Sequence, residues 1–224
     1  MEDRTPRRPP LSRERVLVTA MAVADGGGLD ALTIRSLAQR LHVAPMAIYH
    51  YVANKDVILD GIVDMVFGEM EYPSEVGEWR VVMQQRCASA REVLRQHPWA
   101  IPLLQSRRAP GPATLTHLDA VIGCLRRGGF SVRMAAHAYA LIDSYVYGFA
   151  LSEASLPING PETVAEVATS MHELFSLADY PHLRDFSSEH VMQPGYDFGD
   201  EFQFGLGLVL DGLAEQLHRD HDGP

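Results

Sequence analysis

Thr33 to Lys55 reads TIRSLAQRLHVAPMAIYHYVANK, and this stretch decides the fold. The spacing predicts a helix that opens at Thr33, whose hydroxyl can cap the free amides of its first turn. Its apolar face is Ile34, Leu37, Ala38 and Leu41, a helical rhythm. His42 and Val43 form the turn. Pro45 then starts a second helix, running to Val52, at the one helical position where a missing N–H costs nothing. Val43 and Ile48 stand at the spacing of a hydrophobic staple. Ile48 and Val52 face inward; Met46, Ala47, Tyr49, His50 and Tyr51 are left outside. A short helix that exposes aromatic and imidazole groups over a hidden apolar stripe is shaped to enter a DNA major groove. Arg35, on the exposed face of the first helix, suits guanine O6 and N7. Thr33, Tyr49, His50, Tyr51 and Lys55 are placed for phosphates, and Pro45, Met46 and Ala47 complete the candidate DNA surface.

These residues resemble the tetracycline repressor (TetR) family of bacterial regulators. The matching features are Thr33-x-Arg35, the LAQRLHV stretch, the Ile-Tyr-His-Tyr-Val of the second helix, and Asn54-Lys55. The resemblance extends more loosely into the C-terminal half, through Trp79, GGFS at Gly128 to Ser131, and FQFGLGLVLDGLAEQL at Phe202 to Leu217. It implies an all-α fold: an N-terminal three-helix helix-turn-helix DNA-binding domain and a C-terminal helical ligand-binding and dimerisation domain. It also implies that the connecting helix from Lys55 carries motion between the two. The position at which it would place a magnesium-binding histidine falls on Leu104, counting from His97. The effector implied is therefore bound without magnesium.

Working outward, Ser12 to Asp25 predicts a capped helix, with Leu17, Ala20, Met21 and Ala24 on one face and Gly26 to Gly28 as its stop. Arg7 and Arg8 ahead of VLVTAMAVA have the outline of a secretion signal. The cap and the amphipathic face favour a helix of the head instead, because cleavage would remove the surface on which the next two helices pack. Residues 1–11, with three prolines and three arginines between Arg4 and Pro10, read as a basic arm. It is suited to phosphates or the minor groove, and equally to a solvated tail. Lys55 to about Met70 is the fourth helix, capped by Asn54, with Gly61 as a point of freedom. The expected organisation is an arm over 1–11, a head with its connecting helix over 12–70, and a body over 71–224.

Net charge is −10. Residues 1–55 carry eight basic against five acidic side chains, and the remainder 11 against 24. A basic head and an acidic body would orient the chain on a polyanion. Cys87 and Cys124 have no CxxC or histidine-spaced partner, so they read as buried reduced thiols of a cytoplasmic protein. No run approaches the roughly 20 apolar residues that span a membrane.

Helical patterns in the body run over Trp79 to Gln96, Pro98 to Gln105, Pro112 to Arg127, Val132 to Ser152, Glu162 to Leu177, Pro181 to His190 and Asp200 to His218. Arg86, Gln105, Arg108, His117, Tyr139, Asp143 and Tyr147 are polar groups within apolar patterns. With Trp99, Leu103 and Leu104 as walls, they are the candidate effector contacts, although each is also compatible with ordinary packing. The last helix is apolar on more than one side and so must be covered on more than one side. Phe202, Leu206, Val209, Leu213 and Leu217, with Ala136 and Ala140 of Val132 to Ser152, are the candidate homodimer interface; an intrachain core remains the alternative.

The chain carries no GxSxG, HExxH or Walker loop, so an enzyme is not expected. Neither a cofactor nor a bound metal is expected. The partners expected are a palindromic double-stranded operator, an unidentified small molecule and a second copy of the chain. A ligand-independent scaffold or activator is the alternative, and a small helical enzyme a remote one.

Overall fold

A computed structural model of the chain describes residues 10–156 and 179–221. Among these there are helices and no strand. The helix expected over Glu162 to Leu177 lies outside the described residues, as does the basic arm except for Pro10 and Leu11.

The first compact unit covers residues up to Gly128. Helix α1 spans Arg13–Ala31, opened by Ser12, whose hydroxyl accepts from Arg15 N at 3.2 Å. It outruns its expected end at Asp25, and the interruption falls at Gly28 alone (φ 71°), a conformation that suits glycine. Helix α2 spans Ile34–Leu41 and α3 spans Pro45–Ile48. The expected extension of α3 to Val52 is a turn: the amides of both Tyr51 and Val52 converge on the Ile48 carbonyl. Val16, Leu17, Ala20, Leu37, Ala38, Leu41, Ile48 and Val52 are buried and form the core of the head.

Helix α4 spans Lys55–Glu69, with Asn54 accepting from Val57 N at 2.9 Å. It packs on α1 and also on α5 (Trp79–Gln96) and α6 (Pro112–Arg127). For this reason the compact unit runs on through α5 and α6 to Gly128. Gly61 faces Leu17 of α1: a Cβ there would meet the end of the Leu17 side chain at 2.6 Å. Its role is close packing, not the freedom that the sequence implied. Between α5 and α6, Pro98–Leu103 is a 3-10 helix that contains Pro102, which has no N–H to sustain an α-helix.

The second unit begins at Gly129. Helix α7 spans Val132–Ser155, opened by Ser131. A short helix α8, Pro181–Phe186, passes into a π turn over Ser187–Val191. Helix α9 spans Glu201–His221 and packs on α7. Tyr145 donates to the carbonyl of Phe202 at 2.9 Å, and its ring stacks on Phe202. The Tyr145 hydroxyl occupies the space that a Cβ on Gly205 would need. This glycine therefore serves an intrachain contact.

Candidate DNA interface and effector site

The candidate DNA surface rests on the way α2 is capped. Thr33 Oγ1 accepts from Ser36 N at 3.0 Å, and Ser36 Oγ accepts from Thr33 N at 3.0 Å. The spacing T-x-x-S signals this reciprocal box, but Ser36 was not singled out from the sequence. His42 turns the chain in the left-handed region (φ 57°), and Pro45 opens α3. With Ile48 fully buried, Met46 is 71% exposed, and Tyr49, His50 and Tyr51 are exposed beside it. Thr33, Arg35, Pro45 and Lys55 are exposed, and Ala47 is half-buried. The candidate DNA residues thus share one small unit, and none of them is needed for its core.

Three polar seams join α4 to the elements that follow it. Arg107 Nε donates to Asp60 at 2.5 Å, and its terminal nitrogen lies 3.2 Å from Asp56. Asp64 accepts from both the amide and the hydroxyl of Thr114, at 2.8 and 2.9 Å. The third seam is His97, with Nδ1 at 2.7 Å from Asp25 and Nε2 at 3.0 Å from Glu69. Burial opposes a charge on His97, but the hydrogen bonds of Asp25 and Glu69 outweigh it, and its pKa is raised. Trp99 Nε1 donates to the same Asp25 carboxylate at 2.6 Å.

The candidate effector residues divide. Arg86 and His117 come together: both are almost wholly buried, and Arg86 Nε donates to His117 Nε2 at 3.0 Å. Burial, with the Arg86 charge second, holds the His117 imidazole down at about 3. The rings of Phe67 on α4 and Tyr72 lie 5.6 and 5.7 Å from it. Trp99 is tied to α1 through Asp25. Leu104 is buried and Leu103 half-buried. Gln105 and Arg108 are exposed, because they follow the end of the 3-10 helix on a surface turn. Neighbouring Arg107, not Arg108, reaches inward. On α7, Asp143 and Tyr147 are buried and Tyr139 is half-buried. A cleft of about 370 Å³ lies at the end of α1, beside Gly28, Trp99 and Pro102.

The candidate dimer residues divide as well. Phe202, Leu206, Leu213 and Leu217 are already buried within one chain, together with Leu210. Val209 is half-buried. The second apolar side of α9 is Phe204 and Leu208, 69% and 60% exposed. On α7, Ala136 and Ala140 are exposed, beside Leu141 and Leu151. Both sides of α9 were legible in the sequence; which side met its own chain was not.

Residues 16–62 match the tetR family of bacterial regulatory proteins, and residues 73–217 match the tetracyclin repressor-like C-terminal domain. The chain belongs to the TetR family. It is 30% identical to the HTH-type transcriptional repressor DrrR1 of Streptomyces coeruleorubidus, over 92% of this chain and 78% of that protein. An HTH-type transcriptional regulator of Saccharopolyspora erythraea is 31% identical over 95% of this chain and 89% of its own length. Among solved structures, ActR of Streptomyces coelicolor in complex with actinorhodin matches with a TM-score of 0.77 and 29% identity, covering 92% of this chain and 96% of that one. Among the described residues, the helix-turn-helix lies in the first family match and α7, the longest helix, in the second.

Proposed function

We propose that this TetR-family chain is a cytoplasmic repressor that binds a palindromic operator as a homodimer and leaves it when a small molecule enters the body. The observation that carries this reading is the placement of α4. Asp56, Asp60, Asp64 and Phe67 on this one helix run from the DNA head to the buried Arg86–His117 pair. Two relatives support the same reading: DrrR1 is a repressor, and ActR binds actinorhodin. No helix among the described residues is long and apolar enough to cross a membrane.

An effector releases DNA only if it binds the DNA-free geometry better than the DNA-bound one. His117 stands one turn beyond Thr114 on α6, and Thr114 holds Asp64 of α4. A molecule that displaces His117 therefore shifts the anchor of α4 directly. Coupling of about 1–3 kcal/mol, typical of such systems, changes operator affinity roughly 5- to 150-fold. The buried alkyl side chain of Leu104 offers no metal ligand, so the effector enters without magnesium.

The test is selection of bound duplexes from a random pool, followed by fluorescence anisotropy on the winner. One palindrome, with half-sites a helical turn of about 34 Å or a multiple apart and two chains per duplex, is the expected result. Equal affinity for every duplex overturns the operator reading. A ligand screen that never releases the operator favours the ligand-independent scaffold.

A further inference from the structure

His117 is 2% exposed, and its Nδ1 has no hydrogen-bond partner among the described residues. Its other nitrogen accepts from Arg86, a group that can only donate. The proton of the neutral ring therefore sits on Nδ1, which makes this atom a buried donor lacking an acceptor. Such a group pays its full desolvation cost when left unmet. Burial and the Arg86 charge both resist a second proton on the ring, so the donor role does not change over the physiological range. The surroundings are aromatic: Phe67 and Tyr72 lie against the same imidazole. Phe67 is buried, whereas Tyr72 is 39% exposed and stands on the irregular segment between α4 and α5. Of these rings, Tyr72 is the one that can swing aside without unpacking a helix.

We infer that the effector is a planar aromatic carbonyl compound, a ketone, quinone or carboxylate, whose oxygen accepts the His117 Nδ1–H while its ring takes the place of Tyr72 against Phe67. This rests on the effector reading above and narrows it. An acceptor oxygen satisfies the stranded donor; an ammonium or N–H group facing it does not. A flat ring gains the offset or edge-on contacts that aromatic pairs favour. The carbonyl end fixes orientation, and the ring supplies the buried area. Because Phe67 belongs to α4, the ligand touches the helix that bears the DNA head.

The experiment compares probes of one shape. These are 2-naphthoate and anthraquinone-2-carboxylate as acceptors, 2-naphthylmethylammonium as a donor, and 2-methylnaphthalene as neither. Binding is followed by calorimetry and by the side-chain 1H–15N resonance of His117 in the full-length chain. The expected result is that at least one acceptor binds and moves the Nδ1–H signal downfield, with the donor at least about tenfold weaker. His117→Phe should lose that advantage, whereas His117→Gln, which can still accept from Arg86 and donate to a ligand, should retain part of it. Should His117→Phe fail to fold, the wild-type resonance decides. Tighter binding of the ammonium probe, or no acceptor that shifts the His117 signal, overturns the inference; in the second case a bound water satisfies the donor. Operator anisotropy is recorded separately. A probe that shifts His117 but leaves the operator bound upholds the site while removing its role in release. Release by the donor probe alone upholds the effector reading and removes this ligand class.

Discussion

His97 Nδ1 lies 2.7 Å from the Asp25 carboxylate, joining the 3-10 helix region to α1 across 72 residues of sequence, while its other nitrogen reaches Glu69 at the end of α4. Both ring nitrogens can donate at once only in the imidazolium. Because the folded pKa is raised, this clasp contributes its full stability below the ordinary imidazole value of about 6.5 and loses it as pH rises through the folded value. Thermal melts taken from mildly acidic to alkaline pH should show this loss. His97→Gln should flatten the profile and cost about 1–3 kcal/mol at the acidic end.

His117 titrates in the opposite sense. Its folded pKa is depressed to about 3, so the folded chain binds fewer protons than the unfolded one. Its contribution is present above about 6.5 and is lost as pH falls from there toward 3. His117→Gln cannot be protonated and should resist acid better than wild type, as measured by the midpoint of acid unfolding. An unchanged midpoint would show that other groups set the acid limit.

On DNA, Arg35→Ala and Lys55→Ala should differ in kind. Loss of a guanine-reading arginine relaxes base preference and costs about 1–3 kcal/mol. Loss of a phosphate contact weakens all sequences alike and reduces the salt slope by about one unit. Salt titrations of both variants on the selected operator and on a scrambled duplex separate the two. Wild-type behaviour in both removes Arg35 of α2 and Lys55 of α4 from the interface.

The dimer face should follow exposure, not the apolar stripe. Phe204→Glu with Leu208→Glu should give a helical monomer, because these side chains are not needed within the chain. Leu206→Glu should instead unfold the C-terminal unit by burying an unpaired charge. Sedimentation and circular dichroism on the two variants give the answer; a soluble dimer from the double variant would place the joint elsewhere.

Arg107→Gln tests the coupling. It removes the charge that holds Asp56 and Asp60 but leaves the head intact. The expected effect is near-normal operator affinity, with the effector-induced change cut by about 1 kcal/mol or more. An equal loss in both quantities would make Arg107 a structural group only.

The head was legible because its signals are local. Ser12, Thr33 and Asn54 each announce a helix start, and each side chain accepts from an amide three residues on. The polar seams were not legible for the opposite reason. Asp25 meets His97 and Trp99 from more than 70 residues away, and no periodicity encodes such a pairing. The choice between Arg107 and Arg108 depends on how the chain leaves the 3-10 helix, which Pro102 tightens. On α9, composition showed that two faces need cover; only packing on α7 showed which face the chain covers itself.

The family matches stop at residue 62 and resume at 73, and Asp64, Phe67 and Glu69 fall in the interval. A recombinant that takes its head from one relative and its body from another has its crossover here, in the middle of the wiring. If α4 is donated without Arg107, Thr114 and His97, the acidic ladder arrives with no recipients, and the hybrid would recognise its operator yet ignore its signal. On the proposed coupling, the head of this chain is exchanged without loss of response only when Arg107, Thr114 and His97 travel with it. If Arg35 reads bases as proposed, changing it and its neighbours in place leaves these contacts of α4 untouched.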